Sequence, residues 1–284
     1  MKQRSMQLVA LPGRVGTHLV ILLLCVVWIL PLVEGVVTSL RTLEDAFEVG
    51  WWGVFTDQRI TFDNYAAAWG QAQMGGALLN SLLITLPANA VLVSVSAIVA
   101  YTFAQMEFLG RRTTFAIIVA LMLIPPQITL VPVLKLFNWI GVNGTLPAMW
   151  IYQGGYTMPL GIFILVAFFQ NLPKELVEAA EVDGATPLQA FVRVALPLAR
   201  PGLLSVFILH FLFSWNDLLT PLVFLPPEAA PLTVRVAALL QTSSTDPLVV
   251  VSAAAVIAIA LPMTLFFTLQ RFLARGLTAG AVKG

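Results

Sequence analysis

"HLVILLLCVVWILPLVEGVVTSL", His18–Leu40, holds one acid, Glu34, and no lysine or arginine in 23 residues. A helix rises 1.5 Å per residue, so about 20 such residues cross the ~30 Å hydrocarbon core of a bilayer. The stretch reads as a membrane helix, and the remaining sequence agrees. The 284 residues are 59% hydrophobic and only 10% charged, with a mean hydropathy of +0.91. A soluble domain carries about 25% charged residues. The net charge of +1 argues against nucleic acid as a partner, because phosphate binding needs a concentrated basic face. The single cysteine, Cys25, lies inside the apolar run, permits no internal disulfide and reads as a small core hydrophobe. Lys2, Arg4 and Arg14 precede the run as they would in a secretory signal. The run is long for a signal, however, and no A-x-A cleavage pattern follows it, so an uncleaved first span is expected.

Working outward, the hydropathy pattern predicts an all-α polytopic membrane protein with six spans. They are Thr17–Leu40, Gly76–Ala104, Thr113–Leu134, Ala148–Phe169, Gly202–Leu225 and Leu248–Leu269. The expected organisation is a cytoplasmic N-terminus (1–16), span one (17–40), an external loop (41–75), a five-span core (76–270) and a cytoplasmic tail (271–284). Basic residues set the orientation. Lys2, Arg4, Arg14, Arg111, Arg112, Lys174, Arg193, Arg200, Arg271, Arg275 and Lys283 fall on one side, eleven against four (Arg41, Arg59, Lys135 and Arg235) on the other. The richer side is cytoplasmic, which places both termini there. Pro31, Pro87, Pro125–Pro126, Pro159 and Pro262 sit in or near spans, where each removes a backbone donor and invites a kink.

One polar insert interrupts this oily chain. "ELVEAAEVDGATPLQAFVRVALP", Glu175–Pro197, holds four of the 14 acids within Glu175–Asp183 and lies on the cytoplasmic side, inside the loop 171–201. Pro173 suits the first turn of a helix, and Glu175 and Glu178 suit its positive end. Asp183–Gly184 breaks it, since glycine takes the left-handed conformation of a helix end. Thr186, Pro187 and Gln189 then form a capping box. Leu188, Phe191, Val192 and Ala195 follow at i, i+3, i+4 and i+7, an apolar stripe. An acid-rich helix disfavours an anionic lipid surface and favours a basic protein partner.

Glu178-Ala179-Ala180, Gly184, Val194 and Leu196-Pro197 stand at the spacing E-A-A-x3-G-x9-I-x-L-P, with Val194 in the place of isoleucine. This resembles the EAA loop of binding-protein-dependent ABC importer permeases. "TFDNYAAAW" (Thr61–Trp69), "NSLLIT" (Asn80–Thr85), "FSWNDLLTPL" (Phe213–Leu222) and "GLTAGAVKG" (Gly276–Gly284) resemble segments of the smaller, maltose-type sugar permease subunit. The resemblance implies that the loop docks into a cytoplasmic ATPase through Glu178, Ala179, Ala180, Asp183, Gly184, Ala185, Phe191, Leu196 and Pro197. Glu178 would meet a basic residue and Phe191 would fill the partner's cleft. Gly280, Lys283 and Gly284 would reach between two ATPase copies. It implies further partners: a second, different permease subunit, an external solute-binding protein, a sugar, and the cytoplasmic membrane of a bacterium or archaeon.

The chain lacks G-x-x-x-x-G-K-[ST] and so has no phosphate loop of its own. It is expected to be no enzyme and to bind no cofactor, with ATP and Mg held by the partner ATPase. A solute path needs polar groups inside the bundle. Candidates are Asn80, Ser81, Gln127, Gln153, Tyr156, Trp215, Asn216 and Asp217, with Thr85, Asn89 and Ser214 beside them; amides suit sugar hydroxyls and aromatic faces suit sugar rings. His18 is expected at an interface, while His210 could face the path. An ion-coupled secondary transporter is the rival reading. It normally needs ionisable groups at mid-membrane depth, and Glu34 and Asp217 lie toward span ends.

Overall fold

The computed structural model describes the backbone of residues 2–56, 59–70, 72–241 and 247–281, and side chains within 15–270 except at 57, 58, 71, 174, 181 and 242–247. Every regular element among them is helical. In chain order they are α1 (Lys2–Ser39), α2 (Leu43–Glu48), α3 (Asp63–Gly70), α4 (Met74–Gln105), α5 (Arg111–Leu121), α6 (Pro126–Trp139), α7 (Leu146–Tyr156), α8 (Met158–Gln170), α9 (Lys174–Val182), α10 (Pro187–Ala190), α11 (Leu196–Leu198), α12 (Arg200–Trp215), α13 (Leu219–Phe224), α14 (Leu232–Leu239) and α15 (Pro247–Ala281). A 3-10 turn spans Trp51–Phe55, and a π-type turn, Phe191–Ala195, joins α10 to α11.

Three stretches are long and apolar enough to cross a membrane unbroken: Val15–Ser39, Met74–Gln105 and Leu248–Gln270. Up to three more spans arise if bent pairs each count as one: α5 with α6 (98°), α7 with α8 (48°), and Pro187–Leu198 with α12 (73°). The third expected span, Thr113–Leu134, is therefore no straight rod. Pro125 is extended (φ −65°, ψ 139°) and Pro126 opens α6. Two consecutive prolines remove two donors and forbid helical ψ at the first, so the chain must turn there. The fifth, Gly202–Leu225, is likewise interrupted: α12 ends at Trp215 and α13 begins at Leu219.

The chain forms two compact units. The first is Met1–Met74 with Ala238–Ile257. Here the expected external loop carries α2, the 3-10 turn and α3 among its described residues. Asn64, buried, donates to the Ser39 and Arg41 carbonyls at 2.9 and 2.7 Å, and the Tyr65 and Ser39 hydroxyls lie 2.7 Å apart. The T-x-x-N-Y segment thus clamps the end of α1, satisfying carbonyls that the helix leaves open. Residues 18–33 of α1 are exposed, Cys25 among them. Cys25 is not the core residue expected from its apolar surroundings, because the apolar run of α1 presents its whole circumference outward, as a lipid-facing helix does.

The second unit is Gly75–Ala237 with Ala258–Gly284. One core joins Leu92, Tyr101 and Phe103 of α4 to Ile162, Leu165 and Phe169 of α8, with Phe191, Ala195 and Val206. Another joins Ile84, Leu130, Phe137, Met149, Tyr152 and Phe224. Small residues set the approach of helices, as expected in a membrane bundle: a Cβ at Gly161 would lie 2.7 Å from the Ser96 hydroxyl of α4.

Candidate functional site

Two places carry functional groups, both in the second unit. The first is the hairpin 171–201. α9 ends where the Asp183 and Ala185 amides donate to the Ala179 and Ala180 carbonyls at 3.0 and 2.9 Å. Gly184 between them has φ +87°, a conformation that costs an L-residue ~1–2 kcal/mol. The six-residue loop back to Ala180 with a left-handed glycine is a Schellman ending. The capping box is present: the Thr186 amide donates to Gln189 Oε1 (2.9 Å) and the Gln189 amide to Thr186 Oγ1 (3.3 Å). Glu178 and Ala179 are exposed, Ala180 and Ala185 half-buried, Asp183 and Pro197 exposed, and Leu196 packs against the α4–α8 core.

Phe191 requires a correction. It is 8% exposed and sits inside the chain's own core, its ring 4.9 Å from Tyr101 and 6.3 Å from Phe169 between centroids. It is not available to fill a partner's cleft. The single stripe read from 3.6-residue spacing also splits: Phe191 and Ala195 face inward, while Leu188 and Val192 are exposed. Within a broad stripe these pairs lie about 60° apart, and a π-type turn follows, in which the Leu196 amide bonds the Phe191 carbonyl. Pro197 has no amide to give the Arg193 carbonyl, so the helix widens, and the buried positions Phe191, Ala195 and Ala199 recur every four residues. The most exposed apolar groups of the hairpin are Val182 (87%) and Leu188 (70%), ahead of Val192, Leu176 and Leu198.

The second place is a cavity of about 130 Å³ lined by Gln127, Tyr152, Gln153, Tyr156, Phe213, Asp217 and Thr220, with Pro126, Leu130 and Leu219. Gln153, 1% exposed, is its hub. Its Nε2 donates to Asp217 Oδ2 at 3.0 Å and its Oε1 accepts from the Ser214 hydroxyl at 2.5 Å. Asp217 also accepts from the Thr220 hydroxyl and from the Leu219 and Thr220 amides at 3.1 and 3.2 Å. That carboxylate caps α13. Tyr152 and Tyr156 stack at 6.1 Å, and Tyr156 stacks on Phe213 at 6.5 Å. A larger, mostly apolar cavity of about 290 Å³ shares Tyr156 and Phe213 and adds His210. His210 is buried with Nε2 3.3 Å from the Gln153 carbonyl.

Of the expected path residues, Gln127, Gln153, Tyr156 and Asp217 meet at this cavity. The other four do not. Asn80 Nδ2 donates to the Glu228 and Ala230 carbonyls, both at 3.2 Å, and Ser81 Oγ accepts the Leu232 amide at 2.9 Å, so both fasten the 226–232 segment to α4. Trp215 is buried, its indole donating to the Ala258 carbonyl of α15 at 2.9 Å. Asn216 folds back onto the Leu212 carbonyl at 2.8 Å. Their polar groups are spent on backbone, which in a membrane bundle must be satisfied internally. Of the neighbours named beside them, Thr85 and Ser214 join the Gln153 network through a 3.3 Å hydroxyl contact. Asn89 is fully buried with neither amide atom bonded among the described residues. Tyr152 and Thr220 were not expected; the i, i+4 spacing of Tyr152 and Tyr156 was the available signal. Gly280 lies one residue before the end of α15 at Ala281, with its surroundings outside the description, and Lys283 and Gly284 lie outside the described residues.

A bundle of broken helices holding a cavity lined by amide, carboxylate and aromatic side chains, with a capped hairpin in the same unit, is the architecture of a membrane transport subunit. Residues 92–279 match the family described as "Binding-protein-dependent transport system inner membrane component", and the chain belongs to that family. Among its relatives is the osmoprotective compounds uptake permease protein GgtD of Synechocystis sp., 38% identical over 272 residues, covering 94% of this chain and 91% of that one. The trehalose transport system permease protein SugB of Mycobacterium tuberculosis is 36% identical over 236 residues, covering 82% and 85%. A solved bacterial ABC transporter involved in the import of the acidic polysaccharide alginate shares the fold, with TM-score 0.75 at 20% identity over 90% of this chain and 95% of that one. The chain is thus a membrane-spanning permease component, not an enzyme.

Proposed function

We propose that this chain is one of two different permease subunits of an ATP-driven sugar importer in the cytoplasmic membrane of a bacterium or archaeon. Both termini and the 171–201 hairpin lie on the cytoplasmic side, by the eleven-to-four bias of basic residues. Two copies of an ATPase, carrying ATP and Mg, drive it, and an external binding protein delivers solute.

The observation that carries this reading is the hairpin's two-sided construction. Val182 and Leu188 stand outward with nothing of the described chain over them, while Phe191 roots the same element between Tyr101 of α4 and Phe169 of α8. Burying Val182 and Leu188 in a partner is favourable by ~1.5–3 kcal/mol each. Exposed Glu178 adds a carboxylate for a basic group on the ATPase. Displacement of the gripped side then reaches the spans through Phe191 as a rigid-body movement. Gly280, Lys283 and Gly284 would enter between the ATPase copies.

The cavity supports a neutral sugar as cargo. Gln127 offers an amide to hydroxyls and Tyr156 and Phe213 offer ring faces, while Gln153 and Asp217, bonded to each other and to Ser214 and Thr220, hold the wall in place. At about 130 Å³ it is smaller than the ~300 Å³ where sites enclosing a whole ligand begin, so it reads as one stretch of a path shared with the second permease. Relatives named for trehalose, alpha-glucosides and melibiose/raffinose/stachyose point the same way.

The test is purification from native membranes, followed by uptake of labelled trehalose or another alpha-glucoside into proteoliposomes. Val182→Ser with Leu188→Ser should leave the chain in the membrane, release the ATPase and abolish ATP-dependent uptake. Uptake that continues without any ATPase, and stops with an ionophore, would overturn the proposal in favour of an ion-coupled carrier.

A further inference from the structure

The Arg111 and Arg112 side chains stand at the start of α5, where both residues line a cavity of about 320 Å³ with Phe103, Phe115, Val166 and Gln170. Neither forms a hydrogen bond or ion pair among the described residues, where the one carboxylate–arginine bridge recorded is Arg59–Asp45. Glu107, four residues earlier, makes no such bridge either. Two adjacent cations with open donors form a fork for an anion with several oxygens. Gly110, with φ +84°, turns the chain into α5, whose first turn places its positive helix end beside the two arginines.

What lies beside the arginines narrows the occupant. Phe115 is one turn further along α5, and Phe163 is two turns before Gln170 on α8. Their rings stack at 6.4 Å and 15°. Phe163 is 46% exposed. On both packed helices the order is thus the same, polar at the end and apolar down the shaft. A free anion or an acidic protein loop would use only the polar end. An amphipathic anion uses both.

We infer that the Arg111–Arg112 cavity is a binding site for the phosphate headgroup of an anionic phospholipid of the cytoplasmic leaflet, with its acyl chain along the Phe115–Phe163 face. The inference is independent of the transported solute and takes only the placement of Arg111 and Arg112 at the cytoplasmic interface from the topology proposed above.

The experiment uses the full chain in its purified complex, held in bilayer discs of phosphatidylcholine with a minor fraction of phosphatidylglycerol. Retained lipid is counted by native mass spectrometry after stepwise delipidation. Phosphatidylglycerol should be kept in preference to phosphatidylcholine. Arg111→Gln with Arg112→Gln should lower its retention roughly 30-fold, about fivefold per arginine, from ~1 kcal/mol per arginine at an anionic surface. Arg111→Lys with Arg112→Lys should keep most of it and so report on charge rather than folding. Equal retention in the wild type and the glutamine pair would overturn the site. Release by millimolar inorganic phosphate would make it a free-anion site instead, and loss of the ATPase with lipid retention unchanged would make it a protein contact; either result overturns the proposal.

Discussion

If Phe191 is the root of the hairpin rather than its tip, Phe191→Ala has a signature that distinguishes the two. The ring is 8% exposed and meets Tyr101 and Phe169. Truncating a buried phenylalanine costs ~3–5 kcal/mol. Val182, Leu188 and Glu178, the outward groups, are untouched, so the ATPase should stay bound. What changes is the attachment of the hairpin to α4 and α8. At a minimum of about 3 kcal/mol and ~1.4 kcal/mol per tenfold, local opening should rise by roughly 100-fold. Hydrogen exchange of the 187–198 amides reads this directly, and transport per ATP hydrolysed should fall while ATPase binding persists. Phe191→Leu, which restores most of the volume, should recover much of both. Release of the ATPase by Phe191→Ala, with amide exchange in 187–198 unchanged, would refute the reasoning and return Phe191 to the partner's cleft.

Three other outcomes are expected. Gly184→Ala has open space around the new Cβ and suffers only the left-handed backbone; it should loosen the hairpin by ~1 kcal/mol and reduce uptake severalfold, with Gly184→Asn closer to wild type. Trp215→Phe deletes the indole bond to Ala258; the melting temperature of the purified complex should drop by the equivalent of about 1 kcal/mol, with half-saturation for solute unchanged. Asp217→Asn turns one acceptor oxygen into a donor facing Gln153, Thr220 and two backbone amides; the mismatch of ~1–3 kcal/mol should raise half-saturation in uptake assays without releasing the ATPase.

Much of this is legible in the sequence. The spans follow from run length, and the bend between α5 and α6 is rooted in Pro125–Pro126, although its 98° is a tertiary result. The Gly184 turn and the Thr186–Gln189 box were readable because each is closed within a few residues, by bonds the local chain cannot avoid. Leu188 and Phe191 were not separable, since a stripe says that a face must be covered and not which chain covers it. Asn80 and Ser81 looked like path residues until they met the 226–232 segment, some 150 positions away.

By itself, then, the sequence determined that the chain lives in a membrane, crosses it repeatedly, and carries a capped polar hairpin of the importer-permease pattern, because length, hydropathy and capping are local quantities. Only the tertiary structure decided which polar groups gather at the cavity and which fasten distant segments to one another. It also decided that Phe191 points inward and Val182 and Leu188 outward. Hydrogen bonds and burial are settled between distant segments, and in an apolar bundle every backbone group left without a helical partner claims the nearest side chain that can reach it.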